Sequence, residues 1–298
     1  MRKNSALISV IIPAYQAESS IIKTLSYLHN QDYEGKFEVI VVNSSQDNTK
    51  NIINQKFPDV KVIQLKKRAY TGEAKNIGLK KAQGGVMAFI DSDCVPERNW
   101  LSIIKALYLK GHKIVGGSIG NLNPKNTISK AEYLLELVQL SPGSPFRRVS
   151  LISTANCFID REIFERHGFF PTIRKGVDML YSYILMKKGE KILFSPDLKI
   201  YHACSTSFSR YIKKQVYHGE YSILARKEAG MPGSFLSRSV FFIPFLPLIR
   251  GFFILKHILS LDRKLANDLV QSFPVFAAGI LAWSLGCAKS IIKLGSSI

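Results

Sequence analysis

The residues best placed to do chemistry are two carboxylates, Asp91 and Asp93, in the tripeptide DSD that directly follows the β-rich run Val86 to Ile90. Carboxylates at i and i+2 beyond a strand end can reach one hard cation and a diphosphate that it neutralises. The plainer alternative is a pair of turn or N-cap aspartates ahead of a helix starting near Pro96. A second polar cluster, VVNSSQDNT from Val41 to Thr49, also ends a strand and opens a helix. There Asn43, Ser45 and Asp47 can hydrogen-bond a nucleobase or ribose, or simply cap the helix. In the third, GEAKNIG from Gly72 to Gly78, Lys75 can offset phosphate charge and Asn76 can bond a sugar or ribose hydroxyl. A glycine-started surface helix explains the same residues. No GxxxxGK[ST], GxGxxG or GxSxG pattern occurs, which argues against a P-loop nucleotide hydrolase, a Rossmann dehydrogenase and an α/β-hydrolase.

These clusters need a scaffold that gathers strand ends. From residue 7 to about 117, β-rich runs (Ile8 to Ile12, Phe37 to Val42, Val60 to Leu65, Val86 to Ile90, Lys113 to Val115) alternate with helical patterns. The first helix follows an N-cap at Ser19 or Ser20; others cover about Asp47 to Gln55, Glu73 to Ala82 and Glu97 to Leu109. That alternation predicts a doubly wound, mostly parallel α/β sheet whose ligand sits beyond the carboxyl ends of the strands. After about residue 129 the pattern is irregular, with helical pieces near 129–140, 160–167, 177–188 and 206–228 and short strands at Ile192 to Phe194 and Lys199 to His202. This half is expected to add a second wall to the same cleft.

With 298 residues, 46% hydrophobic and 21% charged, the chain can bury a full core, which excludes wholesale disorder and rod-like folds. The net charge of +19 predicts an anionic partner. The excess is spread along the chain with no basic tail, so a membrane surface is favoured over nucleic acid. The four cysteines, Cys94, Cys157, Cys204 and Cys287, have no zinc-type spacing and read as reduced thiols. The apolar run near the N-terminus is short and interrupted by Ser9 and Pro13, so it reads as a first strand rather than a signal peptide.

Beyond Gly230 the chain turns apolar. Val240 to Ile249 is uncharged, and on a helix over 250–265 Lys256, His257, Ser260, Arg263 and Lys264 share one side while Ile254, Leu255, Ile258, Leu259 and Leu265 share the other. That is a basic amphipathic helix suited to a membrane interface. Leu269 to Ala288 is uncharged and about the length needed to span a bilayer. Lys289 and Lys293 would keep the tail on the cytosolic side. Extra core helices of a soluble protein are the alternative.

Taken together, these motifs resemble the family 2 inverting glycosyltransferases, which have the GT-A fold, over Ile8 to about Gly219 and in the family's order. VIIPAYQAE (Val10 to Glu18) resembles the family's first strand and turn, VVNSSQDNT its VVDDGSxDxT segment, GEAKNIG its GxxxARNxG segment and FIDSDCVP (Phe89 to Pro96) its nucleotide- and metal-binding DxD. ANCFIDREIFERHGFF (Ala155 to Phe170) resembles the acceptor-side stretch, and GVD (Gly176 to Asp178) stands where the family has GED. The resemblance implies a Rossmann-like GT-A domain over 1–228, with a nucleotide-sugar half over about 1–117 and an acceptor half over 118–228, followed by membrane-associated helices over 229–298. It implies that Pro13 and Tyr15 flank the base and that Glu18, Asn43 and Asp47 lie near the nucleoside. Lys75 and Asn76 then serve the donor, Asp91 and Ser92 the ribose or sugar, and Asp93 with His202 a manganese or magnesium ion. Asp178 takes the place of the general base; its alternative role is an N-cap of the helix 179–188.

The expected activity is therefore inverting transfer of a sugar from a nucleotide diphosphate sugar, UDP foremost, to a glycan or lipid-linked hydroxyl at the cytoplasmic face of the cell membrane. Three positions depart from the family: Asn43 for the aspartate that pairs with the base, Lys75 for a commoner arginine, and Val177 for the glutamate before Asp178. They leave open a catalytically inactive sugar- or lipid-binding module. A nucleotidyltransferase is the other alternative, although it would want a glycine-rich loop and residues 12–25 contain no glycine. The basic residues Arg210, Lys213, Lys214, Arg226 and Lys227 suggest a membrane-facing surface or a clamp for a phosphate-bearing lipid. Oligomeric state is not legible.

Overall fold

The structure, a computed structural model, describes residues 7–228, 230–231, 234–235, 240–261 and 263–295. Two compact units result, and they do not follow the linear boundary expected near residue 228: Gly120–Ser144 and Ala203–Ile298 form one, the chain up to Ile119 with Pro145–His202 the other. The reason lies in packing, because helices before and after the sheet-forming middle segment bury their apolar faces on the C-terminal helices.

In the first unit, β1 (Ile8–Ala14), β2 (Phe37–Asn43), β3 (Lys61–Gln64) and β4 (Val86–Ile90) are parallel, in the order β3-β2-β1-β4. Helices α1 (Ile21–His29), α2 (Thr49–Lys56) and α3 (Thr71–Lys81) connect them. Val10, Ile11, Ile12 and all of β4 are buried, as strands covered on both faces require, which is why they read as unbroken apolar runs. The sheet continues through β8 (Asn156–Asp160), β6 (Ile114–Asn121), β9 (Leu193–His202) and β5 (Cys94–Pro96), while β7 (Arg147–Arg148) pairs with β9. Strand β8 runs antiparallel to β4 and β6. Two boundaries differ from the sequence reading. Cys94–Pro96 form β5, so α4 (Trp100–Leu109) starts three residues later than expected from Glu97. The two short strands near 192–202 are one, because Pro196 and Asp197 stay extended while Ser118 Oγ donates to the Pro196 carbonyl at 2.7 Å. Ser20 does occupy the N-cap position of α1, but its hydroxyl turns to the Ala17 carbonyl rather than to the helix.

The second unit consists of α5 (Thr127–Glu136), α8 (Phe208–Glu228), α9 (Leu246–Leu261) and α10 (Arg263–Gly295), with a 3-10 turn over Val240–Phe245; α6 (Arg161–His167) and α7 (Val177–Lys187) belong to the first. The expected helix over 250–265 is divided between α9 and α10, and the side chain of Arg263 lies outside the described residues. Ile254 and Ile258 are buried, but Leu255 and Leu259, expected on the same face, are exposed. Helices α8 and α10 approach backbone to backbone: a Cβ on Gly219 would stand 1.9 Å from the Trp283 carbonyl, and one on Gly286 1.9 Å from the Val216 carbonyl. Close small-residue crossings of this kind gain dispersion contacts along the whole seam. Val240–Leu261 and Lys264–Leu294 are each long and apolar enough to cross a membrane. The four cysteines are buried, and none is in a disulfide.

One basic residue is not on a surface clamp. Lys214 Nζ lies 2.7 Å from Glu132 Oε1 and 3.0 Å from Glu136 Oε2, inside the α5–α8 contact. Burial pushes the Glu136 carboxyl up, but Lys214 and His218 more than reverse this, and it is held at about 2. Its unfolded value is about 4.3. The stabilisation is thus complete above pH ~4.3 and is lost as the pH falls towards 2. Replacing Lys214 by Met leaves two glutamates without their cation; we expect a loss of ~3 kcal/mol in denaturant unfolding near pH 7. The deficit should shrink below pH 4 as the glutamates protonate, and equal deficits at both pH values would assign the effect to packing instead.

Candidate active site

Because β1, β2 and β4 are parallel and adjacent, the segments that follow them emerge at one edge of the sheet. Ala14 pairs with Asn43 and Ile11 with Phe89, so residues 15–18, 44–48 and 91–93 are neighbours there. Antiparallel β8 reaches the same edge from the other direction. Its first residue, Asn156, faces Ile90, which delivers Ser153, Thr154 and Ala155 of the preceding loop beside the DSD turn. Asn156 itself is fully buried and locks this corner: Nδ2 donates to the Ser118 and Leu198 carbonyls, and Oδ1 accepts from Trp100 Nε1.

The side chain of Lys75, one turn into α3, is completely buried. Its ammonium bonds Thr154 Oγ1 at 2.5 Å, the Thr154 carbonyl at 2.9 Å and Asp91 Oδ1 at 3.2 Å. An ammonium has three donors, and all three are occupied by protein. Lys75, expected beside the donor's phosphates, lies between Asp91 and Thr154 and holds both with its charge. Thr154 in turn contacts both oxygens of Asp178, Oγ1 to Oδ1 at 2.6 Å and N to Oδ2 at 3.0 Å. Asp178 is the second residue of α7, and its carboxylate points to Thr154 instead of capping its own helix. Thr154 carried no motif in the sequence; a threonine just ahead of ANCF was its only signal.

Several nucleoside candidates are also engaged. Asn43 is fully buried; its Nδ2 donates to Gln64 Oε1 at 3.0 Å, and its Oδ1 accepts from Ser45 Oγ at 2.8 Å. The edge expected to read a base thus stabilises the turn after β2. Asn76 closes a two-way clamp on the Phe170 backbone, donating to its carbonyl at 2.8 Å and accepting from its N–H at 3.0 Å, so it holds the loop after α6. Asp47 accepts from the Thr49 N–H and shares the single Ser45 hydroxyl hydrogen with Asn43; burial pushes its carboxyl up, and these bonds outweigh that and keep it below the usual range. Glu18 accepts from the Asn48 N–H and joins the first two loops. Tyr15 is 40% exposed, with the Arg68 guanidinium 4.1 Å over its ring, and Pro13 is half-buried behind it. The Ser92 carbonyl accepts from Thr24 Oγ1 at 3.0 Å, which fixes the middle of the DSD turn.

The turn's two carboxylates have separate environments. Burial pushes Asp91 above the ordinary carboxylate range; Lys75 pulls it back, and Asp93 and Asp178 add to the rise. Asp93 is turned to His202, with Oδ2 and Nε2 3.6 Å apart, and Cys94 completes a group whose ligating atoms all lie within 4.8 Å. Two donors each about 2.1 Å from one ion can stand up to about 4.2 Å apart, so Asp93 and His202 fit a single divalent cation. Burial, followed by the charges of Asp93 and Asp91, pushes the Cys94 thiol well up, and its Sγ lies 3.7 Å from Asp93 Oδ1. The carboxylate of Asp93 and the imidazole of His202 are ligands compatible with a divalent ion such as manganese. The pair is held by the sheet, since Cys94 and His202 face each other across β5 and β9.

Val177 packs against the acceptor-side core of Phe170 and Tyr181. A Cβ on Gly72 would stand 2.4 Å from the Pro171 carbonyl and 3.1 Å from Val177, so α3 and the loop leading to Asp178 can touch only because residue 72 is glycine.

Comparison with known proteins agrees with this arrangement. The glycosyltransferase AglE of Haloferax volcanii is 26% identical over 301 residues, 99% of this chain and 97% of its own. A dolichyl N-acetyl-α-D-glucosaminyl phosphate 3-β-D-2,3-diacetamido-2,3-dideoxy-β-D-glucuronosyltransferase of Methanococcus voltae is 26% identical over 71% of each chain. Among solved structures, the mannosyltransferase PcManGT of Pyrobaculum calidifontis, in complex with GDP-Man and Mn2+, superposes with a TM-score of 0.59 at 19% identity, covering 95% of this chain and 87% of that one. The mixed sheet with its parallel nucleotide-side half is accordingly a GT-A fold. Residues 9–178, which run from β1 through the DSD turn to Asp178, match the glycosyl transferase family 2 domain, and the chain belongs to that family.

Proposed function

We propose that this glycosyltransferase is an inverting enzyme that moves a sugar from a nucleotide diphosphate sugar, UDP foremost, to a hydroxyl of a lipid-linked or cell-envelope glycan at the cytoplasmic face of the membrane. The observation that carries this reading is the line Asp91–Lys75–Thr154–Asp178, which joins one carboxylate of the DSD turn to a second carboxylate on the acceptor side through hydrogen bonds alone. One end suits a donor and the other a base.

Asp93 and His202 would hold the divalent ion, which when bound offsets the charge that develops on the leaving diphosphate. Asp91, beside them, faces the ribose or sugar, and Tyr15 and Pro13 flank the base. Asp178 accepts the proton of the acceptor hydroxyl as that oxygen attacks the anomeric carbon from the face opposite the diphosphate. The bond from the anomeric carbon to the phosphate oxygen breaks with its electron pair left on phosphate, and the configuration inverts. A lipid-linked acceptor is supported by the dolichyl-linked substrate in the name of the Methanococcus voltae relative. It also suits the exposed apolar side chains of the C-terminal helices, among them Leu248, Phe252, Leu259, Val270 and Leu285. Exposed Lys289 near the C-terminus favours the cytoplasmic side.

In detergent, with manganese present, we expect one of UDP-, GDP- or dTDP-sugars to raise the melting temperature, and Asp93→Asn to remove the manganese-dependent part of that shift. Shifts that ignore both manganese and Asp93 would overturn the metal assignment. Asp178→Asn should lower turnover by about 1000-fold or more while the donor-induced shift persists. Turnover near the wild-type rate in that variant would remove Asp178 from the chemistry.

A further inference from the structure

We infer that Thr154 is a positioning residue for Asp178 and that buried Lys75 fixes the direction in which the Thr154 hydroxyl points. The inference rests on the reading of Asp178 as the base and goes beyond it by assigning what holds that base in place.

Thr154 Oγ1 carries one hydrogen and sits between two groups, the Lys75 ammonium at 2.5 Å and Asp178 Oδ1 at 2.6 Å. An ammonium has donors and no acceptor, so the hydroxyl cannot donate towards Lys75. Its hydrogen must point at Asp178, and its lone pair must receive Lys75. The bond to Oδ1 is thus charge-assisted at the carboxylate end and polarised by a cation at the other. The Thr154 N–H fixes Oδ2 at 3.0 Å, so one residue grips both oxygens and sets the plane of the carboxylate. Each oxygen keeps a further acceptor position, and the acceptor's hydroxyl proton is delivered to one of these.

The surroundings keep this arrangement in a single state. Thr154 is 1% exposed and Lys75 0%, so water does not compete for either side chain. The third Lys75 hydrogen bond, to Asp91, ties the grip on the base to the donor-side turn. Ser182 Oγ accepts from the Ile152 N–H at 3.1 Å and donates to the Asp178 carbonyl at 2.6 Å, which pins the loop before Thr154 to the first turn of α7.

The test compares Thr154→Val, which keeps the shape and removes the hydroxyl, with Thr154→Ser, which keeps the hydroxyl. Asp178→Asn is measured in parallel, all on the full chain in detergent with manganese and whichever of UDP-glucose, UDP-N-acetylglucosamine or GDP-mannose the wild type consumes. Loss of one charge-assisted hydrogen bond predicts kcat lower by about 10- to 100-fold in Thr154→Val, with the donor KM within about twofold of wild type and Thr154→Ser within about threefold. Crystals of Thr154→Val should show Asp178 in more than one rotamer. A wild-type kcat in Thr154→Val overturns the inference, as does a loss that Thr154→Ser shares or one that appears only in KM. A Thr154→Val protein with lower kcat but a single, unmoved Asp178 rotamer also overturns it. Should Asp178→Asn remain active, the reading of the base fails first, an outcome distinct from an inactive Asp178→Asn beside an unaffected Thr154→Val.

Discussion

An ammonium ion sealed from water must be surrounded by acceptors, because leaving even one of its hydrogens unpaired in the interior costs several kcal/mol. Lys75 meets that demand with Asp91 from the end of β4 and with two oxygens of Thr154 from the approach to β8. The requirement couples three parts of the chain that are far apart in sequence. The helix carrying Lys75, the acidic turn and the loop before β8 must arrive together or the lysine cannot be buried. Much of the site's geometry follows from satisfying that one charge.

The sheet supplies the means. Parallel β1, β2 and β4 send their following loops to one edge, and a single reversal of direction at β8 brings a loop to that edge from the opposite side. Without the reversal, Thr154 would lie at the far end of the strand from Asp91. Asn156 then holds β8 against β6 and β9 through two carbonyls, and Gly72 allows α3 to lie against the segment that presents Asp178. The carboxylates of Asp91, Asp93 and Asp178 are brought together by backbone topology and given different surroundings. Asp91 is half-buried beside a lysine, Asp93 turns to His202, and Asp178 is gripped by a threonine.

The helical unit obeys the same rule about buried charge by a different route. Lys214 is paired with Glu132 and Glu136 across α5 and α8, and α10 lies close along α8 through glycines. Apolar side chains such as Tyr211, Ile254, Ile258 and Ile280 fill the contacts between these helices, while other large apolar side chains of α9 and α10 face outward.

The sequence by itself determined the parallel half of the sheet, since doubly buried strands must be apolar runs and the helices between them keep a regular period. It also determined which loops carry Asp91, Asp93 and Asp178, because the motifs sit at strand and helix boundaries visible in the residue types. Composition likewise announced the apolar C-terminal helices. The partners of the polar side chains were decided only by tertiary structure. Asn43, Lys75 and Asn76 match donor-binding positions in residue type, yet each finds its partners within the protein, in Gln64, Thr154 and the Phe170 backbone. Thr154 could not be singled out, because its importance comes from lying between Lys75 and Asp178, 79 and 24 residues away. The division of the chain into units was hidden for the same reason. Local propensity names the elements, but hydrogen-bond partners and buried contacts between distant residues are settled by how those elements pack.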